Sequence, residues 1–161
     1  MRDHASLDRR SFLRAGALTV AALALGEHAL APDALAGPDD EMTDAVRQVL
    51  KQHFGDRQIQ YGHVQLDIPA DAPDGRTVPV FIESDLPFSA NTHVKALHLL
   101  VDHNPDIYLA GYELSPAVGA ASIDTRIKMR RTSWVRAIAE TSDGQLWGAA
   151  KKVFVGLNGC G

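Results

Sequence analysis

The chain has little cysteine and no excess of basic charge. It contains one cysteine in 161 residues, which excludes an internal disulfide and any metal site built from several cysteines. Sixteen Lys and Arg against twenty Asp and Glu give a net charge of −4. This charge argues against binding to nucleic acid or to an anionic membrane. With 45% hydrophobic and 22% charged residues, the composition is that of one globular domain.

The hydrophobic run near the start is too short to cross a membrane. The uncharged stretch 15–25 falls short of the roughly 20 residues that a spanning helix needs. It follows the pair Arg9 and Arg10 and precedes the small-x-small pattern at 34–36, which is typical of a twin-arginine secretory signal. We predict a signal peptide over 1–36, no membrane anchor and a periplasmic protein. The alternative is an N-terminal amphipathic helix or anchor.

The predicted mature domain, 37–155, begins with one helix. Val46, Val49 and Leu50 recur at helical spacing behind an acidic stretch, and Gly55 fits as the stop. From residue 59 onward the apolar residues alternate instead. The seven predicted strands are 64–68, 78–82, 97–101, 107–114, 123–129, 134–140 and 146–155.

Seven short strands separated by turn residues predict an all-β fold, an immunoglobulin-like β-sandwich. No βαβ rhythm and no glycine-rich phosphate loop are present, which excludes a dinucleotide-binding or P-loop fold. A local basic stretch includes Arg131 and Arg136, and its residues Arg126, Lys128 and Arg130 would share one face along a strand. They are expected to form a polar outer face or a docking patch.

The body of the chain offers no clear active site. The histidines of the mature chain lack the close pairs that are typical of zinc sites. They are His53, His63, His93, His98 and His103. Met42 and Met129 are a thin basis for copper binding. Ser115 and Ser133 have no neighbouring histidine that would activate a nucleophile. We therefore predict no cofactor, no metal and no catalytic residue.

The last six residues, 156–161, are predicted to form a flexible arm. Gly156, Gly159 and Gly161 lack the side chains that restrict the backbone, and Asn158 also tolerates left-handed conformations. Five residues from Val155 to Cys160 reach roughly 17 Å when extended. Nothing near Cys160 in sequence favours its thiolate, so this thiol is placed for access rather than for self-activation. The alternative is a disordered tail in which the cysteine is incidental.

The ending Asn-Gly-Cys-Gly resembles the Gly-Gly-Cys-Gly-Gly terminus of SoxY, the sulfur-carrying subunit of bacterial thiosulfate-oxidising systems. Asn158 replaces the first paired glycine, and the last glycine is lacking. Four internal stretches are similar to the same family, and the resemblance extends over about 41–161. They are LVDHNP at 100–105, YELSP at 112–116, TRIKM at 125–129 and VRAIAETSDG at 135–144. The twin-arginine signal is also typical of this family.

The resemblance implies a non-catalytic carrier with the sulfur substrate attached covalently to Cys160. It implies a heterodimer with a SoxZ-like sandwich subunit. A SoxXA-type cytochrome would conjugate thiosulfate to the cysteine, and a SoxB-type hydrolase would release sulfate. Two other functions stay open from the residues alone: an adaptor that uses Cys160 only for an interchain disulfide, and a periplasmic copper carrier.

Overall fold

The computed structural model describes residues 38–156. This part of the chain forms one α-helix, a 3₁₀ turn at Pro116–Val118 and nine strands. The helix is α1 (Asp44–Phe54). The strands are β1 (Ile59–Tyr61), β2 (Val64–Asp67), β3 (Asp71–Ala72), β4 (Val78–Ser84), β5 (Val94–Val101), β6 (Tyr108–Glu113), β7 (Ser122–Ile127), β8 (Ser133–Thr141) and β9 (Leu146–Val155). No helix in this range is long and apolar enough to span a membrane.

Helix α1 begins and ends at residues suited to those positions. The Thr43 side chain accepts a hydrogen bond from the Val46 amide at 3.4 Å, which satisfies one of the unpaired amides of the first turn. Gly55 follows the last turn with φ +68°, and its amide donates to the carbonyl of Lys51 at 2.8 Å. The predicted helix and its stop at Gly55 are confirmed.

Two sheets form the sandwich that the strand pattern predicted. The larger sheet has the order β1-β9-β8-β5-β6, and β3 also pairs with β9. Strands β1 and β3 both run parallel to β9, along the edge that β8 leaves free. The smaller sheet is β2-β4-β7, and every pair other than those two parallel ones is antiparallel.

The larger sheet is covered on both faces. Leu97 and Leu99 of β5 face the smaller sheet and pack in the main core with Val80 and Ile82 of β4. The opposite face of β5 presents Leu100 to the second core, under α1. The second core consists of Phe54, Leu100, Ile138 and Leu146. Because side chains alternate along a strand, both faces of the sheet's middle are apolar.

Each predicted strand has a counterpart, and the structure adds β1 and β3. Several boundaries differ by one to three residues, and the predicted strand 123–129 ends at Ile127. Met129 lies beyond the strand but is fully buried, and its amide donates to the Gly75 carbonyl at 2.7 Å. Its apolar character therefore reflects burial at the end of the sandwich rather than strand pairing.

Candidate functional site

Most residues predicted to be functional lie outside the described range. These residues are Arg9, Arg10, Asn158, Gly159, Cys160 and Gly161. The predictions for them stay predictions. Gly156 is described, and it shows where the chain that carries the cysteine leaves the sheet.

The end of β9 is hydrogen-bonded on both of its edges. The Val155 amide donates to Thr132 Oγ1 at 3.0 Å. On the other edge, the Gly156 amide donates to the carbonyl of Ala72 at 3.0 Å. The prediction placed Gly156 in the flexible arm, whereas here its amide is held. Gly156 is therefore the fixed root from which the chain continues toward Cys160.

The loop after β3 packs too closely on this root for side chains larger than hydrogen. A Cβ on Gly156 would lie 2.9 Å from the carbonyl oxygen of Pro73. A Cβ on Gly75 would lie 2.1 Å from the carbonyl oxygen of Met129. Both contacts are with backbone, which cannot rotate away. The two glycines thus allow the loop to close against β9 and the segment after β7.

A groove of about 470 Å³ lies beside the same root. It is lined by His103, Asn104, Pro105, Arg130 and Arg131, and we call it the cationic groove. Two of these five residues are permanent cations and none is acidic. Within residues 38–156, neither Arg130 nor Arg131 forms an ion pair. The groove is therefore a site of uncompensated positive charge.

Side-chain hydrogen bonds fix one wall of the groove to the other. The Asn104 amide donates to the carbonyl of Lys128 at 2.7 Å and accepts from the Arg130 amide at 3.0 Å. The His103 amide donates to Ser133 Oγ at 3.0 Å. His103 Nδ1 lies 3.3 Å from the carbonyl of Thr132 and donates to it, which leaves Nε2 without a proton in the neutral ring.

The groove differs from the sequence prediction for this basic stretch. Lys128 and Arg130 were predicted to share a strand face with Arg126, and this was wrong because β7 ends at Ile127. The sequence also gave no signal for Asn104, whose stretch was interpreted as a turn. Its partners lie 24 and 26 residues further along the chain, and only the folded sandwich brings them together.

The structure does not assemble the other candidate chemistry. Among residues 38–156, no three His, Cys, Asp or Glu side chains lie close enough together to hold a metal ion. Met129, considered as a copper ligand, is buried in the main core. Ser133 Oγ accepts from the His103 backbone amide and donates to the carbonyl of Trp134 at 3.1 Å. The imidazole of His103 bonds elsewhere, so these two residues do not form a nucleophile–base pair.

A second polar cluster lies on the outer face of the larger sheet and lines a cavity of about 680 Å³. Glu140 is 9% exposed, and it accepts from Arg57 at 2.5 Å and lies 3.1 Å from Lys95 Nζ. Burial raises the pKa of Glu140, but hydrogen bonds from Arg57 and Lys95 outweigh it and hold this pKa below its ordinary value. Burial lowers the pKa of His98, which bonds Tyr108 Oη through Nδ1 at 2.8 Å.

The first described residues, Pro38 and Asp39, are hydrogen-bonded to the same outer face. Arg136 is 3% exposed and forms two 2.8 Å bonds with the carboxylate of Asp102. It also donates to the carbonyl of Pro38 at 2.5 Å and to Asp39 at 3.2 Å. Burial and the hydrogen bond to Asp39 raise the pKa of Tyr61. The charges of both outer-face clusters are thus paired, in contrast to those of the cationic groove.

Solved structures of known proteins are similar to this chain in fold. The sulfur carrier protein SoxY from Chlorobium limicola f thiosulfatophilum superposes with a TM-score of 0.59 at 20% identity, over 70% of this chain and 96% of its own. A superoxide reductase (neelaredoxin) from Ignicoccus hospitalis gives a TM-score of 0.51 at 16% identity, over 58% of this chain and 80% of its own. At such identities these likenesses show the fold alone.

No curated protein matches the chain by sequence. The family model described as sulfur oxidation protein SoxY matches residues 50–160, well over half of the 161 residues. That match extends from α1 to the cysteine and includes all nine strands. The chain belongs to the SoxY family of sulfur oxidation proteins.

Proposed function

We propose that the chain is a periplasmic covalent sulfur carrier, which holds thiosulfate-derived sulfur on Cys160 and presents it to partner enzymes. The observation that carries the proposal is the family match, which runs through residue 160 and so includes the single cysteine. The Chlorobium protein of the same fold is itself described as a sulfur carrier. The twin-arginine pattern at Arg9 and Arg10 supports export.

The geometry at the root supports presentation of the cysteine away from the sandwich. The described chain is fixed by hydrogen bonds as far as Gly156, and Cys160 follows four residues later. Four extended residues from Gly156 to Cys160 span at most roughly 14 Å. A group attached to Cys160 can therefore enter the active site of a partner while the sandwich remains outside.

Loading is a two-electron oxidation. A bond forms between Cys160 Sγ and the outer sulfur of thiosulfate, the thiol proton is released, and two electrons pass to a SoxXA-type cytochrome partner. Hydrolysis follows at a SoxB-type partner: water attacks the sulfonate sulfur, sulfate leaves, and the persulfide sulfur retains the electron pair of the broken S–S bond. Both reactions take place in partner active sites, so this chain supplies the attachment point and a SoxZ-like sandwich subunit completes the carrier.

Intact mass of the protein purified from the periplasm tests the proposal. We expect an adduct on Cys160 that matches thiosulfate or sulfane sulfur and that reductant removes. The variant Cys160→Ser is expected to carry no adduct, since it has no other thiol. A protein that stays unmodified when supplied with thiosulfate, cytochrome and hydrolase would contradict the proposal.

A matched control tests whether sulfur transfer requires the thiol at position 160 or only an exposed thiol. In the double variant Val118→Cys with Cys160→Ser, the thiol moves to an exposed site in the 3₁₀ turn. We expect this variant to react with small thiol reagents but to receive no sulfur from the partner enzymes. If Cys160→Ser keeps partner binding and pathway activity and loses only a disulfide-linked dimer, the adaptor function would replace the carrier function.

A further inference from the structure

We propose that the cationic groove is a docking site for the sulfo group that Cys160 carries after it is loaded with thiosulfate. The occupant is the –S–SO₃⁻ group on the same chain, not a free anion from solution. This inference rests on the proposed function, because that group exists only on a loaded cysteine. It adds a state in which the sandwich itself binds the anion that Cys160 carries.

Charge complementarity is the first argument. The sulfo group is a tetrahedral anion with three acceptor oxygens, and a guanidinium offers donors in a fork that suits such oxyanions. Arg130 and Arg131 both line the groove, and no acidic residue lines it. Glu41, on the nearby N-terminal segment, is already bonded to Lys152 and Trp134.

The cations on the outer face of the larger sheet provide a contrast. Arg57 and Lys95 are paired with Glu140, and Arg136 is paired with Asp102. Among the described residues, Arg130 and Arg131 have no such partner although the chain has a net charge of −4. Two adjacent cations without counter-ions, placed in a concave site, are the arrangement that an anion of matching size neutralises.

The position of the groove is the second argument. Thr132 connects the groove to the end of β9. Its carbonyl accepts a hydrogen bond from His103 Nδ1, and its Oγ1 accepts one from the Val155 amide. Arg131, which lines the groove, is thus next in sequence to the residue that bonds the end of β9. Four extended residues from Gly156 to Cys160 reach roughly 14 Å, which lets Cys160 bring its sulfo group to Arg130 and Arg131 without any change in the sandwich.

The rigidity of the groove is the third argument. Asn104 holds the segment 128–130 through two hydrogen bonds, and His103 holds Thr132 and Ser133. The two arginines therefore extend from a fixed backbone, so little ordering of the backbone is needed on binding. An unloaded thiol carries no charge and gains nothing from this site. Docking accordingly favours the sulfo-bearing state over the unloaded thiol.

Chemical loading allows a test that needs no partner enzyme. Tetrathionate reacts with the Cys160 thiolate to form the Cys–S–S–SO₃⁻ adduct; its central S–S bond breaks and thiosulfate leaves with the electron pair, so tetrathionate is the oxidant and no other is needed. Methyl methanethiosulfonate forms the neutral Cys–S–S–CH₃ adduct and releases methanesulfinate. The full mature chain in each form is compared by amide NMR and by the rate at which dithiothreitol removes the adduct.

We expect amide shifts at His103, Arg130 and Arg131 in the sulfo form and not in the methyl form. In the variant Arg130→Gln/Arg131→Gln we expect the sulfo adduct to be released about fivefold faster, with the methyl adduct unchanged; this size corresponds to about two exposed charge contacts. The variant Arg47→Gln/Lys51→Gln removes two exposed cations from α1 and is expected to release both adducts like the unmodified protein.

Three results would overturn the docking site. The first is an identical spectrum for the sulfo and methyl forms. The second is an equal effect of the α1 variant, which would assign the change to net charge. The third is that free thiosulfate at equal concentration shifts the same amides in Cys160→Ser, which would make the groove a site for free anions. None of these bears on loading by partner enzymes, so the proposed function can fail or hold separately.

Discussion

At the scale of single residues, Glu140 shows how a buried carboxylate stays ionised on the outer face. Arg57 and Lys95 are both within 3.1 Å of it. Their hydrogen bonds outweigh burial and lower its pKa from the ordinary 4.5. A group whose pKa is lower in the folded state stabilises the fold above its unfolded pKa, and this stabilisation is lost as the pH falls through the folded value.

We predict that Glu140→Gln lowers the free energy of unfolding by about 1–3 kcal/mol at pH 7, because Arg57 and Lys95 lose their ionised partner. Below pH 4.5 the difference from the unmodified protein is expected to shrink progressively, since the unfolded chain takes up the proton first and Glu140 of the folded protein becomes neutral only as the pH falls through its lower pKa. Urea unfolding at pH 7, 5 and 3.5 measures this. A difference that stays constant over this range would show that Glu140 acts through its shape rather than its charge.

His98 supplies the matched control in the same cluster. Burial lowers its pKa below 6.5, so the unfolded chain takes up the proton first as the pH falls. The associated loss of stability begins at pH 6.5, above the window of Glu140. His98→Gln is therefore expected to flatten the stability profile as the pH falls below 6.5 and to leave the change below pH 4.5 in place.

The residues of the candidate site were predictable to different degrees. Cys160 was selected from the sequence as a single thiol near a glycine-rich end, and its role stays a prediction. The cationic groove was not predicted, since Arg130 was assigned to a strand face with Arg126 and Lys128. Asn104 was missed for a related reason: its hydrogen bonds reach residues far along the chain, and no local pattern encodes them.

At the scale of elements, the strands that alternation predicted are those in antiparallel pairs. Each has one face in the main core, and its apolar residues alternate because only that face is buried there. Strands β1 and β3 have three and two residues, too few to show a period, and both pair parallel to β9. Their positions depend on the contacts of β9 and not on their own composition.

The close approach at the end of β9 gives an element-scale prediction. Gly75→Ala is expected to destabilise the protein by about 1–3 kcal/mol, because the new Cβ would lie 2.1 Å from the Met129 carbonyl and the backbone must shift. Gly156→Ala is expected to cost less, since its contact with the Pro73 carbonyl is 2.9 Å. Thermal unfolding of both variants checks the order. Equal effects, or a larger effect for Gly156→Ala, would contradict this account of the loop.

At the scale of the whole molecule, one sheet connects two separate cores. The main core lies between the sheets, and the second core lies between the larger sheet and α1. Strand β5 contributes to both, with Leu99 on one face and Leu100 on the other. Because the same backbone supports both cores, loss of packing under the helix disturbs the sheet on which the sandwich depends. We therefore expect the described domain to unfold as one cooperative unit.

Phe54→Ala tests this cooperativity. Phe54 is 4% exposed in the second core, so its truncation is expected to cost about 3–5 kcal/mol. If the cores are coupled, circular dichroism and tryptophan fluorescence shift together to one lower midpoint, since Trp134 and Trp147 lie in the shared sheet. Val118→Ala, at a site that is 59% exposed, is the matched truncation and is expected to change stability by less than about 0.5 kcal/mol. Separation of the two signals in Phe54→Ala would show that the helix leaves the sheet on its own.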